Sequence, residues 1–198
     1  MSLLVEAITH PSYIHKPQRY DAEDVTAKDA LMMSTSKDYQ RLEFLGDAII
    51  EYVVMTYAFV QFPDWAPQQL TDWKTQTVSN RALGMVAITT FHIHTIIRHC
   101  MPLLQQNIDE YFRRHRRVGA VDLRDEDGDD DWDPPKVFAD VFEALVAAVF
   151  IDCGYHLQTV ANVFLTPLLH SIGEDAVKFV ESKMSSSGRE KLDNGNDN

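Results

Sequence analysis

The chain has 198 residues, 45% hydrophobic and 24% charged, an ordinary globular balance that provides for one domain with a substantial core, or one domain plus appendages. No apolar run approaches the roughly 20 residues of a membrane helix, no basic-then-apolar leader opens the chain, and Cys100 and Cys153 match no metal-ligand spacing; the expectation is a cytoplasmic or nuclear protein with free thiols, not a secreted one. The net charge of −12 argues at first against a nucleic-acid partner, but residues 121–133 hold eight of the 30 acidic residues and one of the 18 basic ones, so the rest of the chain stands at only −5 and whole-chain charge says little about a binding surface.

In chain order, residues 2–9 read as the end of an amphipathic helix that His10-Pro11 breaks, because the residue before a proline disfavours helix. Residues 15–37 are polar and mixed, a long loop with room for a short helix at 27–33. Residues 38–57 (DYQRLEFLGDAIIEYVVMTY) carry apolar side chains at three- and four-residue spacing, Leu42, Leu45, Ile49, Tyr52 and Val53, which predicts a helix capped by Ser36 or Asp38. Pro67 suits a first helical turn, and residues 68–88 read as one further helix with Gly84 as a close-packing site. Residues 91–99 (FHIHTIIRH) are short and β-branched; a short helix is favoured there over a strand. Residues 103–117 form a helix ending in Arg113, Arg114, Arg116 and Arg117, whose cations complement the helix dipole. The acidic stretch 119–133 is too charged to fold alone. Residues 136–152 (KVFADVFEALVAAVFID) make the most apolar helix of the chain, closed by Cys153-Gly154. Residues 156–171 make a last core helix bent or split at Pro167, 174–183 a surface helix, and the tail from Ser185 is expected to be disordered. The class is all-α, with roughly seven helices.

Two of these helices pose the same puzzle. Glu43 and Asp47 lie four residues apart on one face that continues through the apolar Ile50 and Val54. Asp140 and Glu143 lie three apart on the other helix, with Lys136 one turn ahead of Asp140 and the small Ala147 beyond. Like charges on apolar faces repel and cost desolvation. Packed face to face, the two helices would converge four carboxylates, a cluster stable only with bound cations or taken-up protons. Oxygen-only ligands suit Mg²⁺, or Mn²⁺ in its place, rather than zinc, and such ions serve in-line phosphoryl displacement. Lys136 would then contact the phosphate or neutralise developing charge. Spacing alone leaves the alternative of acids solvated at the rims of their helices, and it names no substrate.

The stretch Tyr39 to Ile49, YQRLEFLGDAI, resembles the signature of the ribonuclease III family. So does the run Pro135-Lys136-Val137-Phe138-Ala139-Asp140-Val141-Phe142-Glu143-Ala144-Leu145, followed by Ala147-Ala148 and Asp152-Cys153-Gly154, and Thr9-His10-Pro11-Ser12-Tyr13 resembles the family's threonine-histidine-x-serine-tyrosine element. The resemblance covers residues 3–172 and is greatest to the second ribonuclease III domain of Dicer, a placement that Gln40, Leu70-Thr71-Asp72, the acidic insert and Lys136 all fit.

The resemblance implies the ribonuclease III endonuclease domain fold over residues 1–173, with loop 15–37 and insert 119–133 inside it and 174–198 as a C-terminal extension. It implies an endonuclease that cuts double-stranded RNA with Mg²⁺, in which Glu43, Asp47, Asp140 and Glu143 match the family's catalytic carboxylates and Lys136 a lysine near the active site. Phe44 matches an aromatic that packs across the family's dimer interface. The domain would work paired with another ribonuclease III domain, as a homodimer when isolated or with the preceding domain of a full-length Dicer; no membrane partner is expected. The usual start of the first helix is missing, and no double-stranded-RNA-binding domain follows residue 172, so affinity for RNA should be weak and salt-dependent. Lys74, Arg81 and the arginines from 113 to 117 are the candidate RNA contacts. The competing reading is a non-catalytic ribonuclease III-like module for RNA binding or dimerisation, against which the retention of all four acids counts. The aspartate run 129–133 and the pair His92 and His94 read as a polar loop and as ordinary core or surface histidines, not metal sites.

Overall fold

The computed structural model describes residues 2–14, 37–115 and 133–193, with the backbone alone for His115 and residues 184–193. Among the described residues every regular element is helical, apart from one isolated parallel bridge between Thr9 and Arg98. The helices are α1 (Leu3–Ala7), α2 (Pro11–Ile14), α3 (Gln40–Gln61), α4 (Pro67–Thr77), α5 (Asn80–Thr89), α6 (Pro102–His115) and α7 (Val137–Asp152), with a 3₁₀ turn at Ile93–Thr95. A last helical run, α8, starts at Leu157 and continues to Asp193 through π turns at Ala161–Leu165 and Leu169–Gly173. None of these helices is long and apolar enough to cross a membrane.

Helix α7 is the axis. Its sequence is apolar on every side, which a helix tolerates only when surrounded, and residues 137–148 are all buried. It packs against α3, α5 and α1, and Phe138 and Phe142 are fully enclosed. Phe142 meets Phe91 and Phe164 edge-on at 5.7 and 5.4 Å, tying the segment after α5 and α8 to the axis. Where α3 ends, Phe62 stacks on Trp65 at 4.0 Å and meets Trp73 of α4 edge-on at 5.6 Å, while Lys74 of α4 pairs with Glu51 of α3 at 2.7 Å.

Several expected elements differ in detail. The single helix expected over 68–88 is two, α4 and α5, because Ser79 stops one and caps the other, its Oγ accepting from the Ala82 N–H at 3.2 Å. The segment 91–99 is neither a regular helix nor a strand: it holds the 3₁₀ turn and the bridge through which Arg98 and Thr9 align. Pro11, expected only to break a helix, opens the one-turn α2, since its missing N–H costs nothing at a first position. Pro167, expected to bend or split the last core helix, sits between the two π turns, which accommodate a residue with no N–H to give. The helix reaches Asp193 where a disordered tail was expected from Ser185, and Ala176 and Val180 are buried, so the stretch 174–183 packs on the domain, with Lys183 pairing to Asp72 of α4 at 3.2 Å. Of the proposed helix caps, Asp38 accepts from the Gln40 N–H at 3.1 Å. Ser36, the short helix at 27–33, Arg116, Arg117 and the acidic insert up to residue 132 lie outside the described residues.

Candidate metal centre

The two acidic helices meet at one glycine. A Cβ built on Gly46 of α3 would lie 1.8 Å from the backbone carbonyl oxygen of Glu143 in α7. The backbones touch there, and no residue with a side chain fits without moving a helix. One turn before Gly46, Glu43 therefore faces the turn of α7 that carries Asp140 and Glu143. Each of these three acids offers an oxygen, and the three oxygens lie within 4.8 Å of one another. Asp140 and Glu143 are each only 9% exposed, and Glu43 is half-buried.

The fourth predicted acid stands apart. Asp47 is exposed and lies outside this group of three, yet its charge bears on Glu143. Burial pushes the Glu143 carboxyl up first, and repulsion from Asp47, Asp140 and Glu43 adds to it, raising its pKa to about 8 against a partial offset from Lys136. Burial and Asp140 likewise raise the Glu43 carboxyl, and Lys136 opposes them.

Two donors compensate the cluster. Lys136, immediately before α7, places its ammonium on Asp140 Oδ1 and within 3.7 Å of Glu43 Oε1. Burial works against the charge on Lys136, but its bond to Asp140 and the field of Asp140, Glu43 and Glu143 outweigh that and raise its pKa. Tyr39, one turn before Glu43, donates its hydroxyl to Asp140 Oδ2 at 3.3 Å. Burial, then the charges of Asp140 and Glu43, raise the phenol well above its ordinary range.

The arrangement fits a divalent cation on its own chemistry. The donors are all carboxylate oxygens, the preference of a hard ion. Three acids within one ion's reach have a single ammonium and one phenol hydroxyl beside them, a deficit of positive charge that a doubly charged ion removes. Of the predicted residues, the fold brings Glu43, Asp140, Glu143 and Lys136 together and leaves Asp47 at the edge. The sequence reading passed over Tyr39 and Gly46. The signal for Tyr39 was its spacing, four before Glu43 and hence on the same face; nothing in spacing marks Gly46 as a crossing point.

The other candidates are engaged elsewhere. Arg81 pairs with Asp133 at 3.3 Å, Lys74 with Glu51, and Arg113 and Arg114 with Glu110. His92 and His94 meet edge-on at 6.1 Å, and His94 lies over Phe112 at 4.6 Å; His92 is exposed and His94 half-buried.

With this geometry, comparison with known proteins is informative. The Ribonuclease III domain family model matches residues 40–154, the span from the start of α3 to the turn after α7. The chain is 34% identical over 167 residues to Dicer-like protein 1 of Aspergillus niger and 38% identical over 176 residues to Dicer-like protein 1 of Pyricularia oryzae, alignments that each cover 82% of this chain and 10% of the relative. It is 33% identical over 169 residues to Endoribonuclease Dicer homolog 1 of Oryza sativa, covering 85% of this chain and 8% of that protein. The chain thus spans about a tenth of the length of the curated relatives it matches. The solved nuclease domain of ribonuclease III from Campylobacter jejuni superposes with a TM-score of 0.55 at 19% identity, covering 86% of this chain and 87% of that one, a likeness of fold.

Proposed function

The chain belongs to the ribonuclease III family, and on that premise we propose that it is a Mg²⁺-dependent endonuclease domain of a Dicer-like protein, cutting double-stranded RNA as one half of a domain pair in the cytoplasm or nucleus. The observation that carries the proposal is the convergence of Glu43, Asp140 and Glu143 from two helices on one point. Glu43, Asp140 and Glu143 hold the ion, Asp47 joins them from the edge of the cluster, and Mn²⁺ substitutes for Mg²⁺. A divalent ion held by these residues would lower the pKa of a bound water and offset negative charge on the phosphodiester. The rest falls to the chain. Glu143, whose burial and acidic neighbours raise its pKa to about 8, releases its proton to solvent as it becomes a ligand. Lys136, whose side chain is 63% exposed, turns from the carboxylates toward the phosphate and screens its charge.

The partner in this reading is another ribonuclease III domain. Phe44, Tyr52, Met55 and Phe59 recur along α3 at helical spacing and are 83%, 58%, 53% and 73% exposed, an apolar stripe of the kind that marks an interface. It begins beside Glu43, so the surface that binds a partner and the cluster that binds the ion share one helix. We assign residues 1–173 to the nuclease domain and 174–198 to an extension, and within the family we favour the second Dicer domain on the strength of Lys136 and Gln40.

Cleavage of long double-stranded RNA in Mg²⁺, wild type against Asp140→Asn, tests the proposal. The wild-type dimer is expected to cut, and the variant to lose roughly 100-fold in rate. A confirmed dimer that binds the RNA without Mg²⁺-dependent cutting would instead identify a non-catalytic module.

A further inference from the structure

The Thr9-His10-Pro11-Ser12-Tyr13 element lies far from the acids in sequence, and the proposed chemistry does not use it. In the fold it leads to them. The Thr9 carbonyl accepts from the Tyr39 N–H at 3.0 Å, which fixes Tyr39 at the head of α3. The His10 ring meets the Tyr39 ring edge-on, centroids 5.8 Å apart. That imidazole is held in turn: its Nδ1 accepts from the Ser12 N–H at 3.0 Å, and the His10 N–H donates to the Arg98 carbonyl at 2.9 Å. The Ser12 Oγ accepts from the Cys100 N–H at 3.0 Å, and the Arg98 guanidinium lies 4.3 Å over the Tyr13 ring. Thr9 and His10 thus touch Tyr39 directly and Ser12 holds His10, with Pro11 opening the helical turn that carries Ser12 and Tyr13.

Tyr39 is 5% exposed, so its ring has no room to swing, and a phenol at neutral pH is a donor. Its hydroxyl takes Oδ2 of Asp140, while Lys136 takes Oδ1. The ammonium that takes Oδ1 also lies 3.7 Å from Glu43 Oε1. The two donors differ in kind. Lys136 is on a long, largely exposed side chain that an incoming cation can displace; Tyr39 is clamped.

We propose that Tyr39, held by the Thr9–Tyr13 element, is a positioning residue that fixes the Asp140 carboxylate by one oxygen and leaves the other, now on the displaceable Lys136, for the cation. The inference rests on the metal-site reading above. Groups that orient a ligating carboxylate from behind typically govern metal affinity by 10- to 100-fold.

The test is the Mg²⁺ dissociation constant of the whole folded chain, measured by calorimetry and by thermal shift against Mg²⁺ alone. Tyr39→Phe removes one hydroxyl and is expected to raise that constant about tenfold, with a metal-free Tm within about 4 °C of wild type. His10→Ala, which keeps the phenol but removes its edge contact, is expected to raise it less. Tyr155→Phe, at an exposed position, is expected to leave it unchanged. A Tyr39→Phe protein that binds Mg²⁺ within about twofold of wild type would overturn the role given to Tyr39 and leave the metal site standing. A wild-type protein without saturable Mg²⁺ binding that Asp140→Asn abolishes would overturn both. If Tyr39→Phe does not fold, an unchanged constant in His10→Ala overturns the clamp.

Discussion

Glu143 sits where its own burial and three neighbouring acids all disfavour its charge, and its pKa rises to about 8 from an ordinary 4.5. The folded, metal-free domain therefore binds a proton at Glu143 more tightly than the unfolded chain does. Between pH of about 4.5 and 8 the native state holds more protons, so stability falls as pH rises through that window. In EDTA the Tm should drop as pH is raised from about 5 to 9, and Glu143→Gln should flatten the drop; a slope unchanged in the variant would mean that Glu143 is not the group responsible. Metal binding should then release close to one proton per site near neutral pH, measurable by calorimetry in two buffers of different ionisation heat. The spacing of the sequence found all four acids, but it paired them by helix. The convergence across the two helices was expected for all four; the fold brings Glu43, Asp140 and Glu143 together and leaves Asp47 at the edge. What no linear pattern contained was the bond made by the phenol of Tyr39, whose partner is 101 positions away.

At the scale of elements, the site depends on how closely α3 and α7 cross. Gly46 meets the backbone of Glu143 with no space for a methyl group, whereas a Cβ at Gly84 of α5 would lie 3.0 Å from the Pro134 side chain. A backbone cannot yield as a ring on a loop can. Gly46→Ala should therefore cost about 3 kcal/mol or more in chemical denaturation and spread the carboxylates enough to weaken Mg²⁺ binding. Gly84→Ala should cost about 1 kcal/mol and leave Mg²⁺ binding intact. Equal losses at both glycines would contradict the close crossing. The helices themselves were legible because apolar periodicity is strong in α3 and unbroken in α7. Their joints were not. A single serine, Ser79, divides α4 from α5 by capping, and hydrophobic spacing carries no trace of that. The segment ending at Arg98 was ambiguous for a related reason: its conformation is set by its bridge to Thr9, a long-range contact that overrides local propensity.

For the whole molecule, the net charge of −12 held no indication of the proposed polyanionic substrate, because acids clustered where they could hold a cation and acids in a merely acidic stretch of sequence count alike. Of the apolar stripe on α3 the sequence singled out Phe44, through the family resemblance, and Tyr52, as one of the apolar positions of the helix; Met55 and Phe59 emerged only when the fold left them outside. If the stripe seats a partner domain, Phe59→Asp should raise the dimer dissociation constant about tenfold or more in sedimentation and lower cutting in proportion, while Mg²⁺ binding by the monomer stays as in wild type. A variant that remains dimeric would place the interface elsewhere. The claim on which every other depends is that three acids from two helices hold one divalent ion. Anomalous diffraction from crystals soaked in Mn²⁺ examines it most directly. The predicted result is a peak ligated by Glu43, Asp140 and Glu143, with Lys136 moved off Asp140; Mn²⁺ bound only elsewhere, with the Lys136 ammonium still bridging Asp140 and Glu43, would contradict it.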